Sequence, residues 1–544
     1  MDGRVPHPGE RTRRARLEWI VLAYLAVWAV GMSALDTGYV GHIADDGIYL
    51  VTAQSIRDGN GYRLPSRPGD PIARKYPPGF PLAIAAMMKI MPGSAGLASD
   101  IRSARIIVAI SAAVFLYLSW LLLLRLRMPP AYALVAIAAL SLHPTIVSLS
   151  SSIMSDVVHA ALATAVLLIA MSGWKMTSRY AAPKFFGAGV LAAAAFWVRG
   201  NGIVLLPALM AQAELGPRRR AVTAASIAGF MLLIVTVSIF VRHAHGPEDS
   251  ASYRNEMAAA WSTPQAGIEG MVRNLEGFNA SVPPILLEEL WSTPATRLRT
   301  RFPLLVAVFD LAVCAMLIAG AIRLVRLELR RYAGLWIYAA LTLATVLIWP
   351  WNLGQRLLLP LFPMIVVVFM AGFTQAVRAF RLPLVHPGRA ALAIVMLNAV
   401  ASFATYSYHL QHGANPVLIS DQLPLGRYVA MAQQWVPPAG VVISKEPELI
   451  SLYAHRQAVP LIEDDDCLMN RYGRWERIQW WMDAAPEREF YLVASPPESD
   501  PKDCWGRQMS ALFQNPRMKL DVVQRSADVI VARVIRKSDA GSSR

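Results

Sequence analysis

The sequence predicts an α-helical polytopic membrane protein with a small C-terminal α/β extracytoplasmic domain. Three observations predict it. The 544-residue chain is 55% hydrophobic and only 16% charged, against about 25% charged in average soluble proteins. Several apolar runs reach ~18 residues or more, enough to cross a ~30 Å hydrocarbon core. Beyond residue 409 the long apolar runs stop, and short β-rich segments alternate with helix-like ones, as in a small α/β fold. The formal net charge of +15 does not point to nucleic acid. The arginines collect in short loops between apolar runs, as orientation by the positive-inside rule requires.

In chain order, residues 1–16 form a basic cytoplasmic N-terminus (Arg11, Arg13, Arg14, Arg16) that runs straight into an apolar segment. No small-residue cleavage site follows that segment, so it reads as an uncleaved anchor rather than a signal peptide. The membrane domain covers residues 17–408. Apolar length and charged flanks give about eleven spans: 17–35, 101–124, 131–149, 156–173, 185–198, 201–215, 221–242, 303–323, 333–350, 357–376 and 390–408. The segment after Pro77-Pro78 is apolar for only about 13 residues, short for a span. No internal repeat of the kind that marks many secondary transporters is visible.

Starting from a cytoplasmic N-terminus and alternating, the basic clusters at 125–127, 175–184, 218–220, 323–331 and 378–389 all fall on one side. The opposite assignment would place every one of them outside, against the rule. The other face then receives the first outer loop (36–100), turns near 148–156, 199–201 and 350–356, an outer loop (243–302) and the tail (409–544). Trp261 and Trp291 in the 243–302 loop suit interfacial anchoring or a lid over a substrate groove.

The tail predicts strands at 441–444, 459–462, 490–494, 520–523 and 529–534, with helices at 425–435, 447–453 and 472–484. Cys314 lies in an apolar span as a small core residue. Cys467 and Cys504 form a disulfide or remain two thiols; both readings stay open.

The polar anomaly is the first outer loop, DTGYVGHIADDGIYLVTAQSIRDGNGYRLPSRPGDPIARKYPPGFP. Asp45 and Asp46 precede an amphipathic run able to lie flat on a bilayer. A positioned, ionised carboxylate can take a proton from an attacking hydroxyl; a second can orient the acceptor or bind a metal. A bare Asp-Asp pair is equally at home in a solvated turn, and its position favours function. Arg74, Lys75, Arg199 and Arg356 fall on the outer face, where the positive-inside rule disfavours them. Snorkelling explains each one alone; a phosphate group explains them together. Asp156 opens a span, where it caps the helix or touches substrate. Tyr49, Tyr62 and Tyr76 of the loop are further candidate substrate contacts. His143 reads as a core histidine, and Glu463–Asp466 as a solvated loop. No metal site is assigned, and a divalent ion on the acid pair stays an open alternative.

Five stretches resemble the C-type glycosyltransferases (GT-C), multispan enzymes that use polyprenyl-phosphate sugars and include the protein O-mannosyltransferases and aminoarabinose transferases. IADDGIYLVTAQSIRDGNGY resembles their acidic pair, aromatic residue, amphipathic helix and G-x-G-Y turn. RKYPPGFPLAIA resembles K-P-P-L-Y-P, SSSIMSDVVHAAL the (S/T)-E-x-(M/L)-(S/T)-D segment, FWVRGNGIVLLPALM R-x-x-G-L-x-x-L-P, and NLGQRLLLPLFPMIVVVF R-Y-L-L-P-x-x-P. The order is the family's, over about residues 20–380. The resemblance makes Asp45 the catalytic carboxylate, with Asp46 in place of a common glutamate, and brings Lys75 and Arg356 to the donor phosphate. Tyr76 separates the lysine from the double proline, Leu357 follows Arg356 where tyrosine is usual, and Ser152 stands where an acid is common.

The expected activity is transfer of a hexosyl or pentosyl group from a polyprenyl-phosphate sugar to an extracytoplasmic hydroxyl of a glycan, lipid or protein, with inversion. The expected place is a bacterial-type inner membrane. The rivals are a lipid or polyol transporter or flippase, and a catalytically inactive membrane scaffold.

Overall fold

The computed structural model describes residues 8–35, 40, 45–73, 75–91, 96–173, 180–214, 219–242, 257–258, 261–272, 274–275, 303–329, 331–349, 354–381, 386–411, 425–460, 475–494, 512, 514, 517–526 and 529–536. Arg74, Trp291, Glu463–Asp466, Cys467 and Cys504 lie outside the described residues. The chain divides into two compact units. The first comprises Met1–Thr37, Arg105–Val237 and Met271–Leu418; the second comprises Gly38–Ala104, Ser238–Gly270 and Ile419–Arg544.

The first unit is helical. It holds α1 (Pro8–Ala34), most of α4 (Leu97–Arg125), α5 (Pro130–Ser141), α6 (Pro144–Ser151), α7 (Asp156–Gly173), α8 (Ala181–Val198), α9 (Leu205–Glu214), α10 (Arg219–Arg242), α11 (Pro303–Glu328), α12 (Ala333–Ile348), α13 (Phe362–Ala379) and α14 (Pro387–Gln411). Helices pack closely where side chains vanish. A Cβ on Gly372 would lie 1.8 Å from the Met316 carbonyl oxygen, and one on Gly320 would lie 2.0 Å from that of Val368. α11 and α13 therefore meet backbone to backbone, as small residues allow in membrane helices.

Among the described residues, six helices are long and apolar enough to cross a membrane, or seven if the α5–α6 pair, bent by 60°, is one span. About eleven spans are expected from the sequence, and six or seven pass this length-and-composition test among the described residues. Each expected run does fall on helical backbone. However, Asp156–Ser172 and Ala333–Ile348 are shorter apolar helices. The 201–215 run is broken by a 3-10 turn, Gly200–Val204, leaving ten residues in α9. Hydropathy registers apolar length and does not see these interruptions.

The second unit contains the first outer loop and the tail. The loop folds into α2 (Asp45–Arg57) and α3 (Gly79–Ile90), which pack together. α3 is the apolar segment too short to span. Between them the chain reverses at Gly59 and Gly61, with φ of 83° and 80°, a region glycine enters freely. Asn60 N–H donates to the Ser55 carbonyl, and Ser55 Oγ donates to that of Gly61, both at 2.9 Å. An antiparallel bridge pairs Arg63 with Ile72.

The tail forms a five-stranded mixed sheet from β1 (Val441–Ser444), β2 (Ala458–Pro460), β3 (Phe490–Ala494), β4 (Met518–Arg525) and β5 (Ile530–Arg536), in the order β2-β1-β3-β5-β4. β1 pairs parallel with β2 and β3; β5 pairs antiparallel with β3 and β4. Alternate residues face opposite layers, as the strand period requires. Val441, Ile443, Phe490 and Leu492 pack around Trp481, and Val442, Tyr491 and Val493 around Tyr428 and Ile450.

Loop and tail are joined by buried polar bonds inside this unit. Arg67 Nη2 lies 3.2 Å from Glu448 Oε1, with side chains 5% and 1% exposed. Ala458 N–H donates to the Ser66 carbonyl at 2.8 Å, covering the edge strand β2. Val40 N–H donates to Tyr453 Oη at 3.1 Å. Removing one partner of a buried ion pair costs about 3–5 kcal/mol, whereas replacing both with apolar groups is often neutral. Glu448→Ala therefore lowers the thermal midpoint of the detergent-solubilised protein substantially, and Arg67→Met with Glu448→Met recovers most of the loss. Equal losses in single and double variants would show that the pair does not carry the joint.

Candidate functional site

Two clusters gather the polar residues singled out by sequence. The first lies in the second unit and starts at Asp45 and Asp46, the opening residues of α2. Carboxylates in a first helical turn face the positive end of the macrodipole. One turn on, Tyr49 is 3% exposed. Its ring meets Tyr76 edge to face at 5.2 Å and Phe80 at 4.9 Å between centroids. Tyr76, itself 5% exposed, donates its phenol proton to Asp45 Oδ1 at 2.5 Å. Tyr62 donates to the Tyr76 carbonyl, also at 2.5 Å. Burial pushes the Tyr62 phenol well above its usual range, with neighbouring Tyr49 adding to the shift, so it stays a donor. Lys75 Nζ sits 5.7 Å from the Tyr76 ring centroid, within cation–π reach. Asp46 is buried.

The far end of α2 is also tied down. Arg57 Nη1 contacts Asp100 Oδ1 at 2.5 Å, and Gln54 Nε2 donates to Asp100 Oδ2 at 2.7 Å. Asp100 thereby fixes the last turn of α2 to the start of α4. The sequence reading missed Asp100, Gln54 and Arg57. Nothing but an acid in the first turn of α4 hinted at the first.

The second cluster lies in the first unit. Asp156, almost wholly buried at the start of α7, receives two guanidinium groups. Arg199 Nη1 is 2.7 Å from Oδ1. Arg356 reaches both oxygens, through Nε at 3.4 Å and Nη2 at 3.2 Å. Arg199 is presented by the turn after α8, where Gly202 N–H donates to the Arg199 carbonyl at 2.8 Å. A Cβ on Gly202 would lie 2.4 Å from Phe196 N, so only glycine fits that turn. His159, three residues after Asp156, is buried with Nδ1 3.3 Å from the Ala195 carbonyl oxygen. It was missed by sequence, although its helical spacing from Asp156 was readable. Among the described residues, the buried Ser148, Ser150 and Ser152 hydroxyls meet no hydrogen-bond partner. Buried polar groups normally have one, so this seam offers hydrogen-bonding capacity.

His143 caps α6, its Nδ1 accepting from Thr145 N–H at 3.2 Å, and packs against Phe362. Cys314 is half-buried, and Trp261 is 39% exposed. Among the described residues no three His, Cys, Asp or Glu side chains converge as metal ligands.

The second cluster makes a graded prediction. Asp156→Ala leaves two guanidiniums without their carboxylate and costs about 3–5 kcal/mol. Arg356→Ala leaves Asp156 paired with Arg199 and costs less. Thermal denaturation in detergent reads the order, and Arg356→Ala as damaging as Asp156→Ala would contradict it.

No protein-family model matches the chain, and no curated protein matches it by sequence. Solved structures do. ArnT from Cupriavidus metallidurans, bound to undecaprenyl phosphate, is similar with a TM-score of 0.53 at 12% identity, covering 96% of this chain and 98% of that one. The oligosaccharyltransferase of Archaeoglobus fulgidus, tethered to an acceptor peptide, is similar with a TM-score of 0.51 at 12% identity, covering 95% of this chain and 74% of that one. Its apo form gives 0.52 at 11% identity, covering 96% and 75%. The chain therefore shares a helical, multispan fold with these two proteins, completed by a C-terminal mixed sheet.

Proposed function

We propose that the protein is a membrane glycosyltransferase that moves a sugar from a polyprenyl-phosphate donor to an acceptor hydroxyl on the extracytoplasmic side. The observation that carries this reading is Asp45. It is a carboxylate on the first turn of an amphipathic helix, held by a buried phenol, within a fold shared with two glycosyltransferases. One of those relatives holds undecaprenyl phosphate, which supports a lipid-phosphate donor here.

In the proposed reaction Asp45 takes the proton of the acceptor hydroxyl. That oxygen attacks the anomeric carbon as the bond from this carbon to the phosphate oxygen breaks. The electron pair leaves with the lipid phosphate. A single displacement of this kind inverts the anomeric centre. Asp46 orients the acceptor. Lys75, Arg74, Arg199 and Arg356 supply positive charge for the departing phosphate, a stabilisation that acts where charge develops. Tyr49 and Tyr62 shape the surroundings of Asp45, and Asp156 holds Arg199 and Arg356, through the contacts described above. The basic clusters between apolar runs support a cytoplasmic N-terminus, with the first outer loop and tail outside.

General-base groups typically contribute about 10²–10⁴-fold. Asp45→Asn should lower transfer from labelled polyprenyl-phosphate sugars to extracted envelope fractions by that factor, with the fold intact. Wild-type transfer by Asp45→Asn would sink the assignment. Arg356→Ala should weaken apparent donor affinity more than it lowers the thermal midpoint, and an unchanged donor affinity would count against its phosphate role.

A further inference from the structure

We infer that Tyr76 is the positioning residue for the Asp45 carboxylate: its buried phenol fixes the orientation of the base, a role that rests on the glycosyltransferase reading above. Three restraints converge on this side chain. Its backbone precedes Pro77-Pro78, and proline narrows the conformations open to the residue before it. Its carbonyl accepts the Tyr62 hydroxyl at 2.5 Å, and that hydroxyl is buried and kept protonated. Its ring is pinned on Tyr49, which in turn rests edge to face on Phe80 of α3. So restrained, the phenol has one direction to point, and there it meets Asp45 Oδ1 at 2.5 Å.

The carboxylate needs such a partner. The terminal torsion of an aspartate is broad and roughly two-fold, so α2 fixes where Asp45 begins but not how its oxygens turn. A proton acceptor must lie within hydrogen-bond reach of the hydroxyl it serves. The Tyr76 phenol supplies such a restraint without adding charge. Tyr76, expected from sequence as a substrate contact, is thereby assigned to the base.

The test uses the full-length protein in lipid nanodiscs. 3-Fluorotyrosine placed at residue 76 gives a fluorine resonance that should move when Asp45 becomes Asn and stay in place when Asp100 becomes Asn. A resonance indifferent to Asp45→Asn overturns the inference. With labelled polyprenyl-phosphate sugars, Tyr76→Phe should lower kcat about tenfold, the scale of a slightly misplaced catalytic group, with KM for the donor unchanged. Binding of undecaprenyl phosphate, used as the probe, should also be unchanged. A Tyr76→Phe enzyme as fast as wild type, or faster, overturns the inference; the faster case would mean that the phenol occupies the acceptor's place. A wild-type protein inert towards every donor overturns the glycosyltransferase reading itself, and this role with it.

Discussion

The hydrogen bond from Tyr76 to Asp45 is the interaction that most of the second unit serves. It spans 31 residues of sequence and exists only because the chain between its ends folds back. The reversal at Gly59 and Gly61, the Arg63–Ile72 bridge and the packing of α2 on α3 bring the two ends together. Aromatic rings then fill the space between them, so the geometry is set by packing rather than by one contact. At the other end of α2, Asp100 holds Gln54 and Arg57. The helix carrying the carboxylate is thus fixed at both ends.

The tail extends this logic. It supports the loop through Glu448, Ala458 and Tyr453, which meet Arg67, Ser66 and Val40. Val40 and Ser66 lie on either side of α2 in sequence. The α/β domain therefore braces the loop before and after its helix, and belongs to the same compact unit. In the first unit, Asp156 does comparable work for Arg199 and Arg356. One buried carboxylate holds two guanidiniums in place.

Much of this was legible in the sequence, for identifiable reasons. The strands at 441–444 and 490–494 are buried on both faces, and such strands read as continuous apolar runs. The Asp45-Asp46 pair stood out because its flanks are apolar. The breaks inside the apolar runs were not legible. The break at His143 between α5 and α6 and the 3-10 turn at Gly200–Val204 are backbone events inside apolar text. Nor was the Arg67–Glu448 pair, whose partners are 381 residues apart and belong to no shared motif. The role of Tyr76 was hidden for a subtler reason. Against the family pattern it read as an insertion that displaced a lysine, and only the folded loop brings its phenol to the carboxylate.

The central claim is a single displacement at the anomeric carbon of a lipid-phosphate sugar, with Asp45 as base. The most direct test is the anomeric configuration of the product, read by NMR after transfer from a polyprenyl-phosphate sugar of known configuration. Inversion is expected, with one polyprenyl phosphate released for each sugar transferred. A product with retained configuration, or sugar transferred without release of the lipid phosphate, would contradict it.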